Sequence, residues 1–281
     1  MPLLDLPAEL LLPIGEYLSV KDLSRLLRAN RYLSCLLTPR FHKLALEDVG
    51  SVTALRWAAY RGYASLAELA LSNGAGVEES KRRRRTPLHV AAAQNYPDVI
   101  RVLAKYGQSI SAPYRGRSTP LHAAAARGSL QAIRVLLELG ADMKCTDNKG
   151  KTPVDISANR GDIHCMRAFI DAGWDFNRER RPFRTTLHQA TLGGKEMVEF
   201  LLEHGGKVLI NVQDYSGKTP LHWAVCGEMD WDTGDEEVAR TLCYHGADME
   251  VKDRRGRTPL DLAIGRESLT RVLLEYRPVA Q

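Results

Sequence analysis

Four histidines open four apolar runs in nearly the same local setting: His89 in "TPLHVAAA", His122 in "TPLHAAA", His188 in "TTLHQAT" and His222 in "TPLHWAV". Imidazoles are common zinc ligands and the usual proton carriers near neutral pH, so such a row first raises metal binding or acid–base catalysis. Zinc needs every ligand nitrogen at about 2 Å, whereas equivalent side chains on helices packed side by side stand roughly 8 to 10 Å apart. Histidines spaced one per unit therefore cannot share an ion. No nucleophile stands at a fixed distance from them, and neither a phosphate-cradling glycine loop nor an H-E-x-x-H pattern occurs. The residues predict no enzyme, no cofactor and no metal. What remains for the histidines is a structural role at the start of a helix, tying units together.

The second chemical concentration is "SKRRRRTPLH", a run of five basic residues from Lys81 to Arg85. It has three readings: a nuclear-import signal, a grip on nucleic-acid phosphates, or an edge that meets an acidic protein surface. Composition alone does not choose among them. The chain has 281 residues, 44% hydrophobic and 26% charged, which is ordinary for a globular protein with a substantial core. Its net charge of +5 is too small to require nucleic acid. Cys35, Cys145, Cys165, Cys226 and Cys243 show no C-x-x-C spacing, and an odd count does not suit a disulfide framework, which predicts a reducing compartment. The apolar N-terminus lacks a basic flank and carries Asp5, Glu9 and Glu16, so it does not read as a signal peptide, and no apolar run reaches membrane-spanning length. The expected location is intracellular, cytoplasmic or nuclear.

The units that position these residues are internal repeats. The motif begins at Thr53 ("TALRWAA"), Thr86, Thr119, Thr152 ("TPVDISA"), Thr185, Thr219 and Thr258 ("TPLDLAI"), at intervals of 33, 33, 33, 33, 34 and 39 residues. Threonine before proline is helix-start chemistry, the hydroxyl capping and the proline occupying the first turn. A short alanine-rich helix follows, broken by Gly62, Gly128 or Gly161, and a second helix runs to Gly74, Gly107, Gly140, Gly173, Gly205 or Gly246, each suited to a left-handed cap. "DNKG", "DYSG" and "DRRG" between units are turn sequences. One such helix pair cannot cover its own apolar face, so neighbours must stack.

From Thr53 onward, over about 230 of 281 residues, the chain resembles the ankyrin repeat family. The resemblance implies an all-α solenoid over residues 49–281, seven helix pairs with projecting β-hairpin fingers. It also implies outward finger residues four, three and one before each threonine. In the second to seventh units twelve of those eighteen are basic, among them Arg82, Arg83, Arg85, Arg115, Lys149, Lys151, Arg181, Arg184, Lys218, Arg254, Arg255 and Arg257, and none is acidic. The concave face would continue onto the residue after each histidine position, Trp57, Val90, Ala123, Ile156, Gln189, Trp223 and Leu262, where exposed tryptophans would be anchors. Aromatic stacking platforms are sparse along this comb, so an unknown target protein, with an acidic surface, is expected before nucleic acid, bound by a monomer. Repeat five lacks proline at Thr186 and carries two extra residues in "GGKVLINVQD", predicting a looser finger. The acidic insertion between Gly227 and Glu237 reads as a floppy loop at the far end of its helix pair.

Residues 1–48 differ in pattern and balance their charge. "LDLPAELLLPIGEYLSVKDLSRLLRANRYLSCLL" reads as three short helices and resembles an F-box through Leu6, Pro7, Glu9, Leu10, Ile14, Tyr17, Leu18, Asp22, Leu23, Asn30 and Arg31. The pairing of an F-box with ankyrin repeats resembles an arrangement found in filamentous fungi. That resemblance implies a small helical domain docking, through Leu6, Pro7, Leu10, Ile14 and Leu18, on the Skp-type adaptor of a cullin-RING ubiquitin ligase, with the repeats selecting the substrate. Pro13 removes a helical hydrogen bond, a disruption of about 3 kcal/mol, so the first helix kinks or starts later. Two other readings stand beside this one: a plain scaffold whose N-terminal helices cap the solenoid, and a nucleic-acid binder working through the basic fingers.

Overall fold

A computed structural model describes residues 51–75, 85–176, 184–226 and 234–276. Seven helix pairs follow one another: α1 (Ser51–Arg61) and α2 (Ala64–Ser72), α3 (Pro87–Ala93) and α4 (Pro97–Lys105), α5 (Pro120–Arg127) and α6 (Leu130–Glu138), α7 (Pro153–Asn159) and α8 (Ile163–Asp171), α9 (Thr186–Ala190) and α10 (Lys195–Glu203), α11 (Pro220–Cys226) and α12 (Glu236–Tyr244), α13 (Pro259–Ala263) and α14 (Glu267–Glu275). First helices pack on first helices and second on second, so the pairs stack as two parallel layers. The F-box-like residues Leu6, Pro7, Leu10, Ile14 and Leu18 lie outside the described residues, as do Arg82, Arg83 and Arg181.

The first helices are only five to eight residues long from α3 onward, too short to persist alone. Their starts are fixed by side chains. The hydroxyls of Thr86, Thr119, Thr152, Thr185 and Thr258 each accept the backbone N–H three residues on, a cap worth about 1 kcal/mol. Small residues such as Ala91, Ala92, Ala124, Ala125 and Ala158 let these helices approach closely. Leu88, Leu121, Val154, Leu187 and Leu221 from the first layer meet Ile100, Leu103, Ile133, Leu136, Phe169, Val198 and Leu201 from the second, all essentially inaccessible to solvent. They belong to one continuous core from Leu55 to Leu273, shared between units and owned by none.

Three details differ from the sequence-based expectation. In the first unit Thr53 lies inside α1, and the worn motif has alanine in place of its proline. The fingers are tight turns: among the described residues the one β-bridge pairs Tyr114 with Ser118. In three of them an aspartate closes the turn, Asp147, Asp214 and Asp253 each accepting two nearby backbone N–H groups. Finally, the extra residues of repeat five do not loosen it. They form a 3-10 turn, Gly206–Leu209, that buries Leu209 and Ile210 in the core.

Candidate interaction surface

Each histidine uses both ring nitrogens on protein partners. The Thr119, Thr185 and Thr219 backbone N–H groups donate to Nδ1 of His122, His188 and His222. That leaves Nε2 with the proton, which it donates to a carbonyl of the next finger: His122 to Lys151 at 3.1 Å, His188 to Lys218 at 2.9 Å and His222 to Arg257 at 3.1 Å. His89 reaches Ser118 in the same way at 3.0 Å. The aspartates that replace histidine preserve the accepting half of this arrangement, since Asp155 and Asp261 take the Thr152 and Thr258 N–H groups. Asp155 has no proton for a finger carbonyl, and instead its other oxygen accepts the Thr186 hydroxyl at 3.1 Å. A proline at 186 could not make that bond, which accounts for the departure of repeat five from the motif. Burial pushes all four of these histidines below the ordinary imidazole range, His188 down to about 4.

These ties hold the fingers as a row. Neighbouring turns also bond directly, the Asn148 N–H donating to the Gly116 carbonyl at 2.7 Å and the Arg254 N–H to Ser216 at 2.9 Å. On this scaffold the comb separates into two sets. Arg85, Arg115, Lys149, Arg254 and Arg255 are exposed. The residues immediately before the threonines turn inward after Arg85, because their carbonyls face the preceding histidine or their side chains cover the turn. Lys151, Arg184 and Arg257 are half-buried, and Arg257 pairs with Asp253 at 2.8 Å. Lys218 is buried, its ammonium donating to the Cys226 sulfur at 3.3 Å. Lys218 and Arg257 are thus structural, contrary to the sequence reading. Arg117, exposed and with a positive φ of 60°, is an additional outward cation that a count at three fixed positions passes over.

Trp223 is also corrected. It is 2% exposed, with its indole N–H donating to Asp214 at 3.0 Å, the His188 ring edge-on at 5.4 Å and the Arg184 guanidinium over its face at 4.8 Å. Trp57 is half-buried and packs against Tyr63 at 5.2 Å. The row of the first helices is partly accessible and apolar at Val90, Ala123, Ile156 and Leu262, and is interrupted by Gln189, which is buried. Part of the acidic insertion is ordered by local use: Asp235 caps α12, Glu236 pairs with Arg240 and Glu237 with Lys195. Cys165 and Cys243 are buried thiols pushed up to about 12 and about 11, the behaviour of core residues and not of nucleophiles.

A family model described as ankyrin repeats (3 copies) matches residues 30–114 and 156–253, and one described as ankyrin repeats (many copies) matches residues 109–157. The chain belongs to the ankyrin repeat family. Its family match begins at residue 30, inside the segment read from sequence as F-box-like. The ankyrin repeat domain of human ASB11 superposes with a TM-score of 0.69 at 25% identity, covering 81% of this chain and 99% of that one. The ankyrin repeat domain of Bcl-3, a member of the IkappaB protein family, gives 0.64 at 27% identity over 79% and 97%. A Rickettsia bellii ankyrin repeat protein is 35% identical over 96 residues, 33% of this chain and 49% of the relative. The chain spans about half or less of the length of the curated relatives it matches. Ankyrin repeats are protein–protein interaction modules, and no catalytic family is indicated for this array. Among the described residues no helix is long and apolar enough to cross a membrane.

Proposed function

We propose that this ankyrin array is a receptor for an acidic protein segment, held between the outward finger cations and the partly open first-helix row. The observation that carries the reading is the line of exposed Arg85, Arg115, Lys149, Arg254 and Arg255, with the aspartates beside Lys149 and beside Arg254 and Arg255 consumed by backbone N–H groups of their own turns. Such a surface steers and selects an acidic partner more than it adds raw affinity. Replacing Arg85, Arg115, Arg254 and Arg255 together by alanine is expected to weaken binding of an acidic partner about tenfold or more, mostly through association rate. Melting temperature should change little, since none of these side chains is in the core. Unchanged affinity would remove the fingers from the site, and tight, salt-sensitive DNA binding by the intact protein would favour nucleic acid instead.

The finer reading is a substrate receptor of a cullin-RING ubiquitin ligase, with the N-terminal segment docked on a Skp-type adaptor. Its support is the sequence pattern from Leu6 to Arg31. In full-length protein, Leu10→Asp with Leu18→Asp is expected to abolish co-purification with the adaptor while leaving partner binding by the repeats intact. Should the wild-type chain retain no adaptor, or the double variant retain it equally, the ligase role is lost and the scaffold reading takes its place.

A further inference from the structure

We infer that the finger turn from Tyr114 to Ser118 is a carboxylate-binding pocket, in which the backbone N–H groups of Gly116 and Ser118, flanked by the Arg115 and Arg117 guanidinium groups, take one aspartate or glutamate side chain of the partner. The inference rests on the receptor reading and gives it a location and a recognition chemistry.

Three finger turns carry a carboxylate of their own. Asp147, Asp214 and Asp253 stand five residues before Thr152, Thr219 and Thr258, and each accepts the backbone N–H groups two and four residues further on. In the turn before Thr119 that place is held by Tyr114. The frame of the turn is the same, since the Tyr114 N–H donates to the Ser118 carbonyl at 2.7 Å as the Asp147 N–H does to Lys151 at 2.9 Å. The N–H groups in the carboxylate-binding register, those of Gly116 and Ser118, donate to no side chain among the described residues. The tyrosine does not cover them: its ring turns to the preceding unit, edge-on to His89 at 5.8 Å and with the Arg85 guanidinium 5.9 Å from its centre. Over the turn itself there is room, because a Cβ on Gly116 would meet only the Asn148 side-chain nitrogen, at 3.9 Å.

Arg117 is a second departure from the sibling turns. They place Gly150, Gly217 and Gly256 at this corner, with φ of 72°, 76° and 77°, and Arg117 adopts 60° in the same place. A long side chain in left-handed backbone carries a conformational cost, and such costs gather where a ligand is held. Arg85, Arg115 and Arg117 are all exposed, and none has an ion-pair partner among the described residues. Backbone N–H groups and guanidinium groups are the strong donors to a carboxylate. A turn that lacks its own anion and sets two arginines beside the vacated donors is therefore the complement of a partner's acidic side chain.

The test uses the full chain and an acetylated, amidated oligoglutamate of about ten residues, long enough to reach across neighbouring fingers. Tyr114→Asp and Tyr114→Asn supply the turn with its own acceptor, one charged and one neutral, so both should lower affinity about tenfold, the scale of a hydrogen bond to a charged group. Neither should lower the melting temperature. Tyr114→Phe leaves the pocket open and should bind as the wild type does. Arg117→Gly restores the sibling corner, and should raise the melting temperature while weakening binding. In glycine-labelled protein the Gly116 amide proton should move downfield as oligoglutamate is added to the wild type, and stay in place in Tyr114→Asn. Wild-type affinity in both Tyr114→Asp and Tyr114→Asn, or a Gly116 amide that ignores the peptide, overturns the pocket. If binding then still depends on Arg254 and Arg255, the receptor reading survives that failure. If oligoglutamate does not bind at all, both fall together.

Discussion

Gly193→Ala is expected to cost the solenoid about 3 kcal/mol or more, the upper range for forcing atoms into filled space. A Cβ at this position would stand 2.0 Å from the Ala158 carbonyl oxygen and 2.9 Å from the Gly161 nitrogen, and a Cβ on Gly161 would meet the Gly193 carbonyl at 2.4 Å. Both partners are backbone, so no side chain can swing aside. The turns leaving α7 and α9 therefore touch through two glycines. Gly140 is the control: its φ is positive, at 84°, which that of Gly193 is not, but nothing lies within 4 Å of its would-be Cβ. Gly140→Ala should cost only the conformational strain, about 1 kcal/mol. Urea denaturation of the two variants reads the difference directly. In a stack held by nearest-neighbour contacts the Gly193 variant should also separate the melting of repeats two to four from that of repeats five to seven. Equal losses for the two variants would mean that the backbones do not meet as described.

Acidification from pH 7 to pH 4 is expected to remove about 3 kcal/mol through His188 alone, at 1.36 kcal/mol for each pH unit by which its pKa is depressed. An unfolded histidine titrates near 6.5 and folded His188 near 4. Between those values the unfolded chain binds the extra proton and the folded chain does not, so stability is complete above pH 6.5 and declines as the pH falls toward 4. His89, His122 and His222 are shifted in the same direction by burial and add to the slope. The largest cause is burial, which disfavours the charged imidazolium, and the tautomer acts in the same direction. Nδ1 of His188 accepts from the Thr185 N–H, and protonation would place a second hydrogen against that donor. Stability measured against pH should flatten in His188→Asn, which retains an acceptor but does not titrate. A slope unchanged by that substitution would move the acid sensitivity to other groups.

Much of the fold was legible because it repeats. A threonine cap, a proline in the first turn and a terminal glycine act within four residues of themselves, and they mark the same points in unit after unit. The structural reading of the histidines was legible for a related reason, since one side chain per unit at helix spacing cannot converge on an ion. The finger comb was only half legible. Arg115, Lys149, Arg254 and Arg255 project as the spacing predicts, but Lys218 and Arg257 are drawn inward by partners, Cys226 and Asp253, whose approach depends on how the turn closes. Trp223 failed as an exposed anchor because Asp214 and Arg184, nine and thirty-nine positions away, enclose it.

By itself the sequence determined that this protein is a stack of helix pairs, because its period, caps and glycines are local signals that need no knowledge of what lies across the molecule. Only the tertiary structure decided which charges face outward, why repeat five exchanges proline for Thr186, and where a polar group lies buried without a partner at Gln189. Those properties arise between units, from contacts about thirty residues apart in the chain, and side-chain direction across such a gap is set by packing and by the competition for hydrogen bonds, neither of which a residue carries in its own identity.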